Sequence, residues 1–496
     1  MLILVMLAFG LLGLPYLLRG YVVDDTFIHL QFARNLARYH EMSFNHGEPV
    51  YGASSPLWVA LLALASPLGS PPLVAQVLGF LFGLGALAVF FLLTRRMFGH
   101  PWLAVAATLV LATDPFFLRW SCCGMESSMA ALLVFLTLFL HLGERARAGF
   151  PVRAPLAAGL SYLLRPETGF LLAVVVADSL ARTGPGRRKS LARGASAIVL
   201  FFLVAAPWLA YALKVYGTVI PTTALAKGAH LPLFSRVLPI GLRIAQTVLL
   251  THWPQILAIG GFLVVVALRG RWGDLRAPLR KHGPVVLWVA GILGIYCAGG
   301  NVVSRYLLTA TPLLTAFALA SALALTGEGA RGRSRWVVGL TALLVAWNLA
   351  LGSFMFASVR NSDYLRHMTA VGVWLRENTP AGTVVASDEI GIIGYYSERR
   401  ILDLEGLITP GIIPYKFAKP IREGPGALLK GRTFDYLQAE RPDYIVYQSG
   451  RSATLARTEE GRRHFDPVLG YEHAENQLAG WKPGGRKFVN LYRCAW

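Results

Sequence analysis

The chain has 496 residues, of which 55% are hydrophobic and only 15% charged, against about 25% charged in a soluble protein. The apolar residues come in blocks of membrane-spanning length, which excludes an ordinary soluble enzyme. The net charge of +20 reads as membrane topology, since Lys and Arg stay on the cytoplasmic side, and no soluble basic face for nucleic acid is visible.

Apolar segments predict eleven spans, over 2–18, 73–94, 101–118, 127–143, 154–164, 168–181, 194–213, 253–268, 284–298, 305–326 and 336–358. A span needs about 20 apolar residues for a hydrocarbon core of about 30 Å. The opening segment lacks the basic flank of a signal peptide and reads as a retained helix. The short segments 154–164 and 168–181 flank Arg165-Pro166-Glu167 and predict a tilted hairpin with its tip near the interface. Pro56 to Pro67 is too short to cross and predicts an interfacial or re-entrant helix. Five basic connections, at 95–96, 145–153, 182–193, 269–281 and 331–335, then all fall in the cytoplasm. The N-terminus is expected inside a bacterial inner membrane and the C-terminus outside.

Three segments are then external. The first is a loop over 19–72. The second runs from Lys214 to about Trp253 and carries an amphipathic stretch, Leu233 to Leu250, expected along the membrane surface. His252 and Trp253 read as interface anchors. The third is a soluble tail, 360–496, following a transmembrane domain over 1–359. The tail predicts helix (Tyr364 to Glu377), strand (Thr383 to Ser387), helix (Gly391 to Ser397), strand (Arg400 to Leu404), helix (Phe434 to Glu440) and strands Tyr444 to Gln448 and Lys487 to Arg493. That alternation is a small α/β domain. Cys122, Cys123, Cys297 and Cys494 match neither metal-ligand spacing nor a disulfide framework.

Asp24 and Asp25 open an amphipathic helix about six residues past the first span. Acids at a helix start are ordinary caps, but a cap needs one Asp and here there are two at the mouth of a membrane bundle. A carboxylate with a reference pKa of about 3.9 is a base at neutral pH, so either Asp can take a proton from a hydroxyl. The pair is also the candidate site for a divalent cation, if one is used. Arg165, Lys227 and Arg305 fall beside the outer ends of spans. They suit a phosphate, which Arg binds with two parallel hydrogen bonds, although interfacial cations also snorkel to headgroups. Glu126 and Glu167 read as acceptor or cation contacts, or as ion-pair partners of Arg119 and Arg165. His29, His46 and His230 match no metal motif and read as surface or capping residues.

Ordered motifs then carry a resemblance. Asp24-Asp25-Thr26-Phe27-Ile28, Arg34-Asn35, Phe44-Asn45-His46-Gly47-Glu48-Pro49-Val50-Tyr51-Gly52 and Ser54-Ser55-Pro56-Leu57-Trp58 resemble the first external loop of GT-C glycosyltransferases. Gly124-Met125-Glu126-Ser127, Leu164-Arg165-Pro166-Glu167, Tyr216-Gly217 through Pro221 to Lys227, and Arg305-Tyr306 extend it. In the tail, Gly391 to Tyr396 and Asp403 to Leu407 extend it further. The chain looks most like terminal arabinofuranosyltransferases of actinobacterial cell walls. It departs from them at Ala53-Ser54-Ser55, where relatives have an aromatic-Thr-Ser run, and at Gly299-Gly300-Asn301, where relatives often carry an acid.

The resemblance implies a GT-C fold and transfer of a sugar from a polyprenyl-phosphate carrier to a glycan or glycolipid hydroxyl, with inversion. It implies Asp24 as the base, with Asp25 orienting the acceptor or holding a cation. Arg165, Lys227 and Arg305 would hold the donor phosphate. Arg34, Asn35, Asn45, Glu48, Ser54, Trp58, Glu126, Glu167 and Tyr306 would contact substrate. No cofactor beyond that possible cation is implied. The rival readings are a transporter or flippase of lipid-linked sugars, which would place ionisable groups at mid-membrane, and, within the superfamily, a protein O-mannosyltransferase or a lipid A-modifying enzyme.

Overall fold

The computed structural model describes residues 1–146, 149–181, 186–229, 233–270, 272–299, 304–325, 330–360, 363–416, 432–449, 455–457, 459–474 and 486–496. His230, Gly300, Asn301 and parts of four basic connections (147–148, 182–185, 271 and the side chains of 331–334) lie outside the described residues.

The chain is a multi-pass α-helical membrane protein. Its first part comprises α1 (Leu2–Leu18), α2 (Asp24–Tyr39), α3 (Pro56–Ala65), α4 (Pro71–Phe98), α5 (Pro101–Thr113), α6 (Pro115–Cys122), α7 (Ser127–Arg145), α8 (Arg153–Tyr162), α9 (Phe170–Ala181) and α10 (Arg187–Tyr216). A short turn, α11 (Thr222–Ala224), precedes α12 (Leu233–Leu268), α13 (Arg276–Gly299), α14 (Thr311–Leu325) and α15 (Ala330–Arg360). Among the described residues six helices are long and apolar enough to cross a membrane, and the bent pair α5–α6 makes a seventh. α1 and α14 are apolar but shorter, and α8 and α9 are the two arms expected beside Arg165.

Two expectations need correction. The segment 101–118 is not one straight helix: it breaks at Asp114 with a 61° bend, because Pro115 pushes the residue before it out of helical geometry and the Asp114 carboxylate caps the new helix by accepting the Phe117 N–H at 2.8 Å. The stretch 233–250 is helical, and a kink at His252 separates it from the following span. His252 is correspondingly buried, with Nε2 3.7 Å from Asp114 Oδ2, rather than an interface anchor.

The tail holds α16 (Tyr364–Asn378), β1 (Val384–Ser387), α17 (Gly391–Ser397), β2 (Arg400–Asp403), β3 (Tyr444–Ser449), β4 (Phe465–Ala474) and β5 (Arg486–Cys494). The sheet order is β2-β1-β3-β5-β4, parallel across β2-β1-β3 and antiparallel across β3-β5-β4. β4 is the strand that sequence pattern missed: Pro467 and a register shift between Pro467 and Leu469 spoil its alternation, which an edge strand tolerates.

The tail is not tethered loosely. One apolar core joins Phe27, Ile28, Phe32, Phe44 and Trp58 of the first part to Met368, Val371, Ile392, Ile393 and Ile401 of the tail. α17 docks on α2 through glycines. A methyl group on Gly391 would overlap the Asp24 carbonyl, and one on Gly394 would run into the Phe44 ring.

Candidate functional site

A cavity of about 430 Å³ opens where the first turn of α2, the loop 52–55, the start of α7, the α8–α9 connection, the segment 221–227, the end of α13 and Arg305-Tyr306 converge. Leu407 of the tail completes its wall. Three cations (Arg165, Lys227, Arg305) and three carboxylates (Asp25, Glu126, Glu167) line it, so the charges of its wall balance.

The consecutive acids diverge. The Asp25 carboxylate enters the cavity and pairs with Arg305 at 2.6 Å. Burial pushes its pKa up, but the Arg305 guanidinium, with Lys227 near, outweighs this and holds it below the usual carboxylate range. Asp24 is not part of the wall. Its two oxygens accept the Gly391 and Ile392 N–H groups of the tail, both at 2.8 Å. Residues one apart on a helix point about 100° apart, so the pair does not converge on one substrate atom or one cation. Among the described residues no three His, Cys, Asp or Glu side chains are arranged to hold a metal.

The cations are held in a lattice of polar contacts. Arg165, only 4% exposed, donates to Glu126 at 2.7 Å and to Ser127 at 3.1 Å, with Glu167 at 3.8 Å. Lys227 donates to the Tyr306 hydroxyl at 2.8 Å. The Tyr306 ring stacks on Tyr296 at 5.3 Å, and the Tyr296 hydroxyl reaches Glu167 at 3.2 Å. The Arg165 and Arg305 guanidinium carbons lie 5.1 and 5.4 Å from the Tyr306 ring centre. Arg165 Nε, Arg305 Nε, Glu126 Oε2 and His29 Nδ1 are buried without a hydrogen-bond partner.

The structure therefore brings Asp25, Ser54, Glu126, Arg165, Glu167, Lys227, Arg305 and Tyr306 together, and leaves other expected contacts elsewhere. Arg34, Asn35, Asn45 and Glu48 line a separate cavity of about 240 Å³ further along α2. There they hold the first loop to itself and to the tail. Arg34 donates to the Tyr395 carbonyl at 3.0 Å and to Glu398 at 3.2 Å. Asn35 donates to the Ser43 and Phe44 carbonyls. Asn45 pairs both ways with the Ile401 backbone, at 2.9 and 3.0 Å, and Glu48 pairs with Arg400 at 2.5 Å. Trp58 is fully buried against Phe82 in the shared core. These five motif residues are contacts of loop, tail and core rather than of the main cavity.

Among the lining residues that were not expected there, two bear on its chemistry. His29, read as surface or capping, is 7% exposed and lines the wall one helical turn after Asp25; its i+4 spacing was the signal. Burial lowers its pKa, favouring the neutral ring. Tyr296 gave no signal, being one aromatic in an apolar span.

Known proteins add the following. A family model described as a domain of unknown function, DUF8728, matches residues 357–492. The terminal β-(1→2)-arabinofuranosyltransferase of Mycobacterium tuberculosis is 29% identical over 229 residues, 42% of this chain. The match spans 35% of that relative's length. The apo oligosaccharyltransferase of Archaeoglobus fulgidus superposes with a TM-score of 0.58 at 13% identity, over 95% of this chain and 73% of that one. ArnT of Cupriavidus metallidurans superposes with a TM-score of 0.52 over 97% of both chains, at 13% identity in its apo state and 14% when bound to undecaprenyl phosphate. These neighbours are GT-C membrane proteins, and the fold of this chain is theirs.

Proposed function

We propose that this GT-C membrane protein is a glycosyltransferase, moving a sugar from a polyprenyl-phosphate carrier to a glycan or glycolipid hydroxyl at the extracytoplasmic face of a bacterial inner membrane, with inversion. The observation that carries the reading is the Asp25–Arg305 pair at 2.6 Å, a base beside a phosphate-type cation in a cavity with Arg165 and Lys227. The name of the arabinofuranosyltransferase relative and the undecaprenyl phosphate bound to ArnT support the donor class. The basic cytoplasmic connections support an inside N-terminus and an outside tail.

In this reading the acceptor O–H gives its proton to Asp25, and the acceptor oxygen forms a bond to the anomeric carbon. The bond from that carbon to the phosphate oxygen breaks with its electron pair, and the polyprenyl phosphate departs. Arg305, Arg165 and Lys227 stabilise the charge that develops on it. Before the donor arrives, Arg305 keeps Asp25 a weak base. A donor phosphate draws on the same guanidinium, loosens its hold and lifts the basicity of Asp25 as the reaction needs it. Glu126, Glu167, Ser54 and His29 are left to bind sugar hydroxyls, and the tail, through Leu407, borders the acceptor side.

The test is transfer and donor binding with a panel of polyprenyl-phosphate sugars and purified protein in nanodiscs. Asp25→Asn should lower the rate by about 10² to 10⁴ while donor binding holds. Wild-type rates in Asp25→Asn, or no binding of any such donor, would refute the proposal.

A further inference from the structure

Three consecutive residues of α2 are pinned to three different parts of the molecule. Asp24 accepts two backbone N–H groups of the tail, at Gly391 and Ile392. Asp25 pairs with Arg305. Thr26, fully buried, donates its hydroxyl to the Cys123 carbonyl at 2.7 Å, and the space above Gly124 is filled by the Thr26 methyl. The side chain that enters the cavity is thus held between two anchors, one in the membrane bundle and one in the tail. The tail side is built tightly, because Gly391 has no room for a methyl group against Asp24.

From this geometry we propose that Asp24 is a positioning residue: it clamps the tail onto the first turn of α2 and so aims the neighbouring Asp25. The assignment rests on the glycosyltransferase reading above and departs from the expectation that the first acid of the pair is the base. Burial and the nearby Glu389 raise the Asp24 pKa, but a carboxylate that lies outside the cavity wall with an N–H of the tail on each oxygen is poorly placed to reach an acceptor there. A base displaced by 1 Å loses on the order of a hundredfold in rate, so a tail that merely loosens here should slow the chemistry without weakening donor binding.

The experiment uses the full chain in nanodiscs and the variants Asp24→Asn, Asp24→Ala, Gly391→Ala and Asp24→Ala/Gly391→Ala, beside Asp25→Asn. Readouts are kcat and KM, the pH dependence of kcat, and hydrogen exchange over 24–29 and 388–397. Asp24→Asn keeps one amide oxygen that accepts an N–H but turns its NH2 toward the other, and should fall between wild type and Asp24→Ala with the acid limb of its pH profile intact. Asp24→Ala and Gly391→Ala should each lower kcat about 10- to 100-fold, leave donor KM unchanged and raise exchange in both segments. The double variant should be no worse than the worse single one, since both remove the same contact.

Loss of transfer in Asp24→Asn to the level of Asp25→Asn, with exchange unchanged, would overturn the proposal and restore Asp24 as the base. Undiminished transfer in Gly391→Ala despite increased exchange at 388–397 would also overturn it. Failure of the underlying enzyme reading is separate: wild type then transfers no sugar from any donor. In that event the clamp is judged by exchange alone. It stands if Gly391→Ala deprotects 24–29, and falls if it does not.

Discussion

The Arg165–Glu126 pair offers a direct measure of how the site is held. Both side chains are 5% exposed and 2.7 Å apart, and Arg165 also donates to Ser127. Arg165→Met keeps much of the volume but leaves the Glu126 carboxylate buried without its cation, which costs about 3–5 kcal/mol. The Tyr306 ring also loses a guanidinium at 5.1 Å. Glu126→Gln is milder: the amide oxygen still accepts from Arg165, and Glu167 remains 3.8 Å away, so a loss of about 1–2 kcal/mol is expected. The double variant removes the stranded charge altogether and should lie within about 2 kcal/mol of wild type. The coupling energy is then about 2 kcal/mol or more, near the top of the range for contacting residues. The assay is reversible denaturant unfolding in mixed micelles without ligand. An Arg165→Met variant as stable as wild type, or a double variant equal to the sum of the singles, would refute the reasoning.

Two further outcomes are expected in the tail. Burial, then Glu405 and Asp24 nearby, lift Asp388 to about 7, and burial lifts Asp403 to about 6 despite its backbone N–H donors. The folded tail therefore holds protons that the unfolded chain, titrating near 3.8, has released, so its stability falls as pH rises from about 4 to about 7 and then levels. In thermal melts Asp388→Asn should flatten the fall between about 6 and 7 and keep the Asp403 part below it; an unchanged slope would discount Asp388. Asn45→Ala removes two hydrogen bonds from the Ile401 backbone on the sheet-edge strand β2, about 1 kcal/mol each. Hydrogen exchange at the Ile401 amide should accelerate about 10- to 30-fold, and unchanged protection there would count against the edge contact.

Much of this molecule is readable along the chain because the governing rules are local. Apolar run length marks the helices at 71–98, 127–145 and 335–357, and the change to short alternating elements after 360 marks the tail. α17 falls at Gly391–Ser397 as expected. The places where local rules fail each have a physical cause. Asp114 and Pro115 interrupt an apolar run that reads as one span, the proline forbidding the helix to continue and the aspartate capping the next one. Pro467 hides β4.

The site divides the same way. Sequence alone pointed to Asp24, Asp25, Arg165, Lys227 and Arg305 as charges expected at span ends, because charge is expensive inside a membrane bundle. Only the tertiary structure decided which acid enters the cavity and which holds the tail, and that Arg34, Asn35, Asn45 and Glu48 line a separate one. Spacing in sequence orders residues around a helix, but what each face meets is set by segments hundreds of positions distant, here Gly391, Tyr395 and Ile401.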